Sequence, residues 1–280
     1  MNDDLFSTMK SLSKAVSDNL QPFLEIQRQL SEMFEPLIED IQASVSKLNE
    51  AVGPILEFSR QIEMIQRAMA DVLERLPEGT RQAVVLLGQR GWYISLEMPL
   101  SAFSKLANRI QAGNCSGVDE WMNDFYERNL DRVKDDLQKE FPHRSRILGL
   151  AFQAHKRGEY ELSIPVFLSQ ADGICYELIG IQLYSRRNGR PRTAGFVEQF
   201  AMNSFTAALM EPLRVPLPIS ASTPDREKED YPSESLNRHE ILHGEVVNYA
   251  TQTNSYKAIS WLHYVATILS RRVSEQETFQ

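Results

Sequence analysis

Residues 160–183 read YELSIPVFLSQADGICYELIGIQL. Ile164, Phe167, Leu168, Ile174, Leu178 and Ile181 recur at helical spacing over a run too long for an ordinary strand, so the stretch predicts a long apolar helix from Tyr160 to Leu183. Pro165 falls near its first turn. Asp172 and Glu177 lie inside it, and an acidic group is costly to bury without a partner. Asp172 is therefore expected on a wet edge or beside a cation.

The flanking sequence repeats the helical theme. Upstream, Phe141-Pro142-His143-Arg144 punctuates the chain, and Ile147, Leu148, Leu150, Ala151 and Ala154 form a second helical block that stops at Gly158. Between Val118 and Lys139, alternating charges surround Trp121, Phe125, Leu130, Val133 and Leu137, the pattern of a surface helix with one apolar stripe. Arg90-Gly91-Trp92-Tyr93-Ile94 is a compact aromatic unit in which Trp92 is expected to anchor the core. A further helix is expected around Phe196 to Met210, then a proline-rich, charged connection from Pro212 to Ser235, long enough to be a functional or flexible loop. The fold class is all-α.

From Leu30 to Leu76 another seam runs through Phe34, Leu37, Ile41, Val45, Leu48, Val52, Ile55, Phe58, Ile62, Ile65, Met69 and Val72. It is close to a coiled-coil repeat, with a stutter around Ile41 and Val45 and breaks at Pro22, Pro36 and Gly53-Pro54. So narrow a seam must pack on something: helices of the same chain, another copy, or a protein partner. The expected organisation is an N-terminal helical arm over 1–77, a helical connecting region over 78–143 and a helical domain over 144–280.

Bulk properties limit the functions available. An apolar fraction of 42% and an aromatic fraction of 9% belong to a folded protein. No run approaches the roughly 20 apolar residues that cross a bilayer, and the start Met1-Asn2-Asp3-Asp4 is acidic where a signal peptide is basic. A soluble, cytoplasmic protein without a membrane partner is the expectation. Cys115 and Cys175 stand alone, without ligand spacing, and are expected to be reduced thiols and not a zinc site. A net charge of -8 disfavours broad nucleic-acid binding, so any such contact must be local. The most concentrated positive stretch is Arg186-Arg187-Asn188-Gly189-Arg190-Pro191-Arg192. Its arginines are candidate contacts to an RNA backbone, against the alternative of a solvated loop.

The candidate chemistry lies in Leu236-Asn237-Arg238-His239-Glu240-Ile241-Leu242-His243-Gly244. Ser233 and Ser235 offer N-caps for a helix starting near Leu236, Gly244 offers a stop, and His243 falls in the last turn, where the helix dipole favours a protonated imidazole. RNA carries its own nucleophile in the 2′-hydroxyl. A histidine can move protons and an arginine can neutralise the phosphate oxygens, so neither metal nor cofactor is required. Five residues apart, Arg238 and His243 lie about 140° from each other on a regular helix, whereas His239 and His243 share a face. The alternative is structural: Arg238 pairs with Asp172 or Glu240, and His243 caps a helix.

The segments Ala154-His155-Lys156-Arg157-Gly158-Glu159-Tyr160, Gln170-Ala171-Asp172-Gly173-Ile174, Asn237 to Gly244 and Lys257-Ala258-Ile259 together resemble the HEPN superfamily, whose hallmark is Arg, a polar residue, several variable residues, then His. The resemblance covers roughly the C-terminal half. It implies a helical bundle that dimerises so that both Arg-His pairs line one cleft. It also implies metal-independent endoribonuclease activity, frequent among toxins and phage-defence proteins. Arg238 and His243 would be catalytic and His239 would hold the polar position; Asp172 and Asn237 are expected as supporting residues. Some members of that superfamily lack activity, which leaves a non-catalytic scaffold in a defence or regulatory complex as the competing expectation.

Overall fold

The computed structural model describes residues 77–200, 204–222, 226, 231 and 235–278. The expected arm and its seam lie outside them. Residues 75–280 form one compact unit, and its described residues are mostly helical.

The first helix, α1, covers residues 77–89, and the chain then turns through Gly91 into a stretch without regular secondary structure at 92–95. Gly91 has a φ of 79°, a left-handed conformation that costs glycine little, and its missing side chain leaves room for the Lys257 stem. Beyond this turn Trp92, Tyr93 and Ile94 are buried, as expected of an anchor. The Trp92 indole donates to Asp119 at 2.6 Å while the Lys257 ammonium lies 5.6 Å from its ring centre.

Helices α2 (Leu100–Gln111) and α3 (Cys115–Glu140) follow. Asn114 caps α3 by accepting the Gly117 N–H at 3.0 Å. The buried side of α3 carries Val118, Met122, Tyr126, Leu130, Val133 and Leu137, with Trp121 and Phe125 only partly covered. The stripe is thus centred one position beyond the two aromatics read from sequence, because large rings can pack from the flank of a helix face. A 3-10 turn at Pro142–Arg144 leads into α4 (Ser145–Lys156), and Gly158 reverses the chain into α5 (Tyr160–Ile179).

The predicted helix over 160–183 ends early. Gly180 takes a φ of 68° and closes α5, and the Asp172 carboxylate accepts the Leu183 N–H at 2.7 Å, which folds the next residues back against the helix. Asp172 therefore satisfies its charge on backbone and not beside a cation. Ile164, Phe167, Leu168, Ile174 and Cys175 of α5 are fully buried. Each large apolar side chain there contributes about 1.5–3 kcal/mol by leaving water, and Phe167→Ala would cost about 3–5 kcal/mol.

After α5 comes a hairpin, β1 (Arg186–Arg187) with β2 (Arg190–Pro191). Short helices α6 (Ala194–Val197) and α7 (Phe205–Leu209) stand where a single helix was expected around Phe196 to Met210. The connection that begins at Pro212 is not loose over its first half. Turns at Glu211–Leu213 and Pro218–Ser220 bury Leu213, Leu217 and Ile219, since closely spaced prolines favour tight turns over an extended coil. Helix α8 (Arg238–Leu242) carries the candidate site, and α9 (Gln252–Thr278) closes the fold.

Contacts of α3 with α4, α4 with α5, α5 with α9 and α9 with α3 close a ring of four helices, and α2 packs on α3. The segment expected as a connecting region thus contributes α3 to the same core as the helices beyond residue 144. Where α4, α5 and α9 meet, His155 is buried: its Nδ1 lies 2.7 Å from the Ser255 hydroxyl, which in turn lies 3.0 Å from that of Ser163. Burial, assisted by the charge of Lys156, pulls the His155 imidazole down to about 4. Among the described residues no helix is long and apolar enough to cross a membrane.

Candidate functional site

Helix α8 is short, and its start is fixed by one buried side chain. The cap is Asn237, in extended backbone conformation, and the predicted start near Leu236 is displaced accordingly. Its Oδ1 accepts the Glu240 N–H at 3.0 Å, and its Nδ2 donates to the carbonyls of Pro218 at 2.7 Å and Ala221 at 2.8 Å. Each polar atom of the amide is used. Asn237 therefore ties the first turn of α8 to the Pro218–Ser220 turn, a supporting role more specific than the sequence suggested.

Arg238, held by that tie, has its guanidinium carbon 5.1 Å from the centre of the Tyr184 ring. This is a cation–π contact. The ring is itself pinned, because the Tyr184 hydroxyl donates to the Leu168 carbonyl at 3.1 Å and accepts the Trp261 indole N–H at 3.0 Å, joining α5 to α9. Burial raises the Tyr184 phenol far above its ordinary range, so it remains a proton donor. Arg238 makes no ion pair among the described residues, and its buried Nε has no hydrogen-bond partner. Neither expected carboxylate takes it: Asp172 is used by Leu183, and Glu240 faces Arg226 at 3.3 Å.

Arg238 and His239 line one cavity of about 290 Å³, together with Tyr184, Arg186, Gly189 and Ser220. Arg186 reaches into this wall and donates to the Leu217 carbonyl at 3.3 Å and the Ser220 hydroxyl at 3.0 Å. Two guanidinium groups, an imidazole and a hydroxyl make a cavity suited to an anion with several oxygens.

His243 follows the last helical residue and is exposed. Its ring centre lies 4.3 Å from that of His239, and the His239 Nε2 lies 3.8 Å from a Glu245 carboxylate oxygen. Gly244, at a φ of 71°, ends the helix, and the Glu245 N–H returns to the Glu240 carbonyl at 2.8 Å. His239 thus touches both parts of the site, with Arg238 on one side and His243 on the other, whereas no described contact joins Arg238 to His243. Ser235 does not cap the helix, and Ser233 lies outside the described residues.

The arginine stretch is divided among different tasks. Arg186 is turned inward, Arg190 is paired with Glu198, and Arg187 and Arg192 are exposed without an ion pair among the described residues. The hairpin had a local signal in Asn188-Gly189, the pair that supplies two positive φ values, here 55° and 76°, for the tight turn. Tyr184, Ser220 and Glu245 had no such signal, since their roles depend on chain segments far apart in sequence. The Cys175 thiol is buried and pushed up to about 12, which makes it a poor nucleophile. Among the described residues no group of three or more His, Cys, Asp or Glu side chains is arranged to hold a metal ion. Comparison of the chain with family models, with curated proteins and with solved structures finds no match.

Proposed function

We propose that residues 75–280 form a HEPN-like bundle whose Arg238, His239 and His243 cleave RNA without a metal ion, in a site completed by a second copy of the chain. The observation that carries this reading is the state of Arg238: a cation held over Tyr184, unpaired by any carboxylate among the described residues, on the wall of a cavity it shares with His239. A structural arginine would be expected to find its counter-ion inside the protein. The histidine pair beside it, with ring centres 4.3 Å apart, supplies two imidazoles of the kind used for proton transfer.

The chemistry follows from these groups. The 2′-oxygen attacks the adjacent phosphorus while one imidazole takes its proton. Arg238 neutralises the charge that grows on the non-bridging oxygens. The bond to the 5′-oxygen then breaks, and a protonated imidazole supplies that oxygen with a proton, leaving a 2′,3′-cyclic phosphate and a 5′-hydroxyl. The dimer answers a geometric need: within one copy Arg238 points to Tyr184 and His243 to solvent, so a phosphate held by the first meets the second more readily from another copy.

A second reading has its own support. Leu150, Leu162 and Tyr176 expose 55%, 61% and 59% of their surfaces on α4 and α5, apolar area that a partner protein would cover, and a scaffold would need no catalysis. Cleavage of single-stranded RNA in excess EDTA separates the two. Wild-type protein should yield cyclic-phosphate ends, and Arg238→Ala and His243→Ala should each be slower by at least about 100-fold. Equal cleavage by all three, or none by wild type, rules out the nuclease reading.

A further inference from the structure

The hairpin pairs Arg186 with Pro191 and Arg187 with Arg190. Residues directly opposite one another project to the same face, and neighbours along a strand project to opposite faces. The face of Arg186 turns toward Ser220 and the cavity of Arg238. On the other face Arg187 and Arg190 stand side by side, and with Arg192 and Asn188 they line a second cavity, of about 420 Å³.

Such an arrangement is unfavourable in isolation. Like charges directly opposite destabilise a two-stranded ladder, and Glu198 offsets only Arg190. In a chain of net charge -8 this leaves a local excess of positive charge that an external polyanion would relieve. The two cavities also share the turn, since Asn188 lines the outer one and Gly189 the one containing Arg238 and His239. A chain of phosphates can therefore pass from one face of the hairpin to the other around a two-residue tip.

We infer that the outer face of the hairpin, through Arg187, Arg190 and Arg192, binds the backbone of a single-stranded RNA whose neighbouring phosphate occupies the cavity of Arg238. The inference rests on the nuclease reading for its direction but on the hairpin alone for its contacts. Guanidinium forks suit phosphate oxygens, and contacts of this kind position a strand without reading its bases. A flexible single strand can bend around the tip; a duplex, stiff over about 150 base pairs, resists it.

The test is binding of a fluorescent, uncleavable 2′-O-methyl RNA 20-mer of mixed sequence, measured by anisotropy across a potassium chloride series. Each single-strand phosphate contact contributes about 0.7 to the slope of log affinity against log salt. Arg187→Ala/Arg192→Ala should lower the slope by about 1.4, Arg187→Lys/Arg192→Lys should retain it, and Lys105→Ala/Arg146→Ala, which removes the same charge from exposed positions on other helices, should leave it unchanged. Equal slopes for wild type and the hairpin variant, or an equal fall in the remote variant, would overturn the inference. Because the probe cannot be cut, a protein that binds in this way yet cleaves no RNA retains the hairpin site and loses only the nuclease reading.

Discussion

Replacing Asn237 tests how the site is held. In Asn237→Ala the Ala221 carbonyl loses its donor at 2.8 Å, the Pro218 carbonyl loses one at 2.7 Å but keeps the Ala221 N–H at 3.1 Å, and α8 loses its cap. A lost N-cap costs about 1 kcal/mol, and a buried polar group left without a partner costs about 1–3 kcal/mol. Ala221 is itself buried, which denies its carbonyl easy compensation by water. The sum is about 2–4 kcal/mol, and at about 2–4 °C per kcal/mol for a unit of this size the melting temperature should fall by about 4–16 °C. Asn237→Asp separates the parts: it keeps the acceptor for the Glu240 N–H but turns a buried donor into a charge beside two carbonyls, so it should be no more stable than the alanine variant. Thermal melts followed by circular dichroism read both. A fall under about 2 °C for Asn237→Ala, or an aspartate variant as stable as wild type, would refute the view that this amide fixes the start of α8.

Two further outcomes follow from the fold. His155 is neutral when folded, with its imidazole down at about 4, against an ordinary value near 6.5. Above pH 6.5 neither state takes the proton; below it the unfolded chain does and the folded chain resists, so stability falls by up to about 3 kcal/mol as pH drops from 6.5 toward 4. Urea melts should show this loss in wild type and a smaller one in His155→Gln, and parallel profiles would contradict it. Gly244→Ala meets no neighbour within 4 Å, so its cost should be confined to the positive φ of 71°, about 1–2 kcal/mol, or roughly 2–8 °C in the melting temperature. An unchanged melt would mean that the residue is not held in that conformation.

The helices were legible because their information is local. Apolar spacing marked α3, α4 and α5, and Gly158 and Gly180 stand where their chains reverse. The end of α5 was misplaced because Ile181 and Leu183 continue an apolar pattern that the Gly180 turn and the Asp172 side chain interrupt. At the site, Arg238, His239 and His243 could be picked out by residue type and spacing, and Asn237 by its place beside them. What Arg238 does could not be read: the Tyr184 ring beneath it is positioned by Leu168 and Trp261, and the Asn237 tie depends on carbonyls at 218 and 221. Neither interaction exists until distant segments have packed. The arginine stretch looked uniform for the same reason; pairing across Asn188-Gly189 turns one guanidinium inward and leaves its neighbours outside.

The central claim is that Arg238 and His243 act together across two copies of the chain, and mixing two inactive variants tests it most directly. Arg238→Ala and His243→Ala, unfolded together and refolded in equal amounts, form mixed dimers in half of the molecules, each with one intact Arg238-His243 combination out of two. If the pair is composite, RNA cleavage should return to about a quarter of the wild-type rate, with neither variant active alone. No recovery in a mixture shown to contain mixed dimers would contradict the composite site.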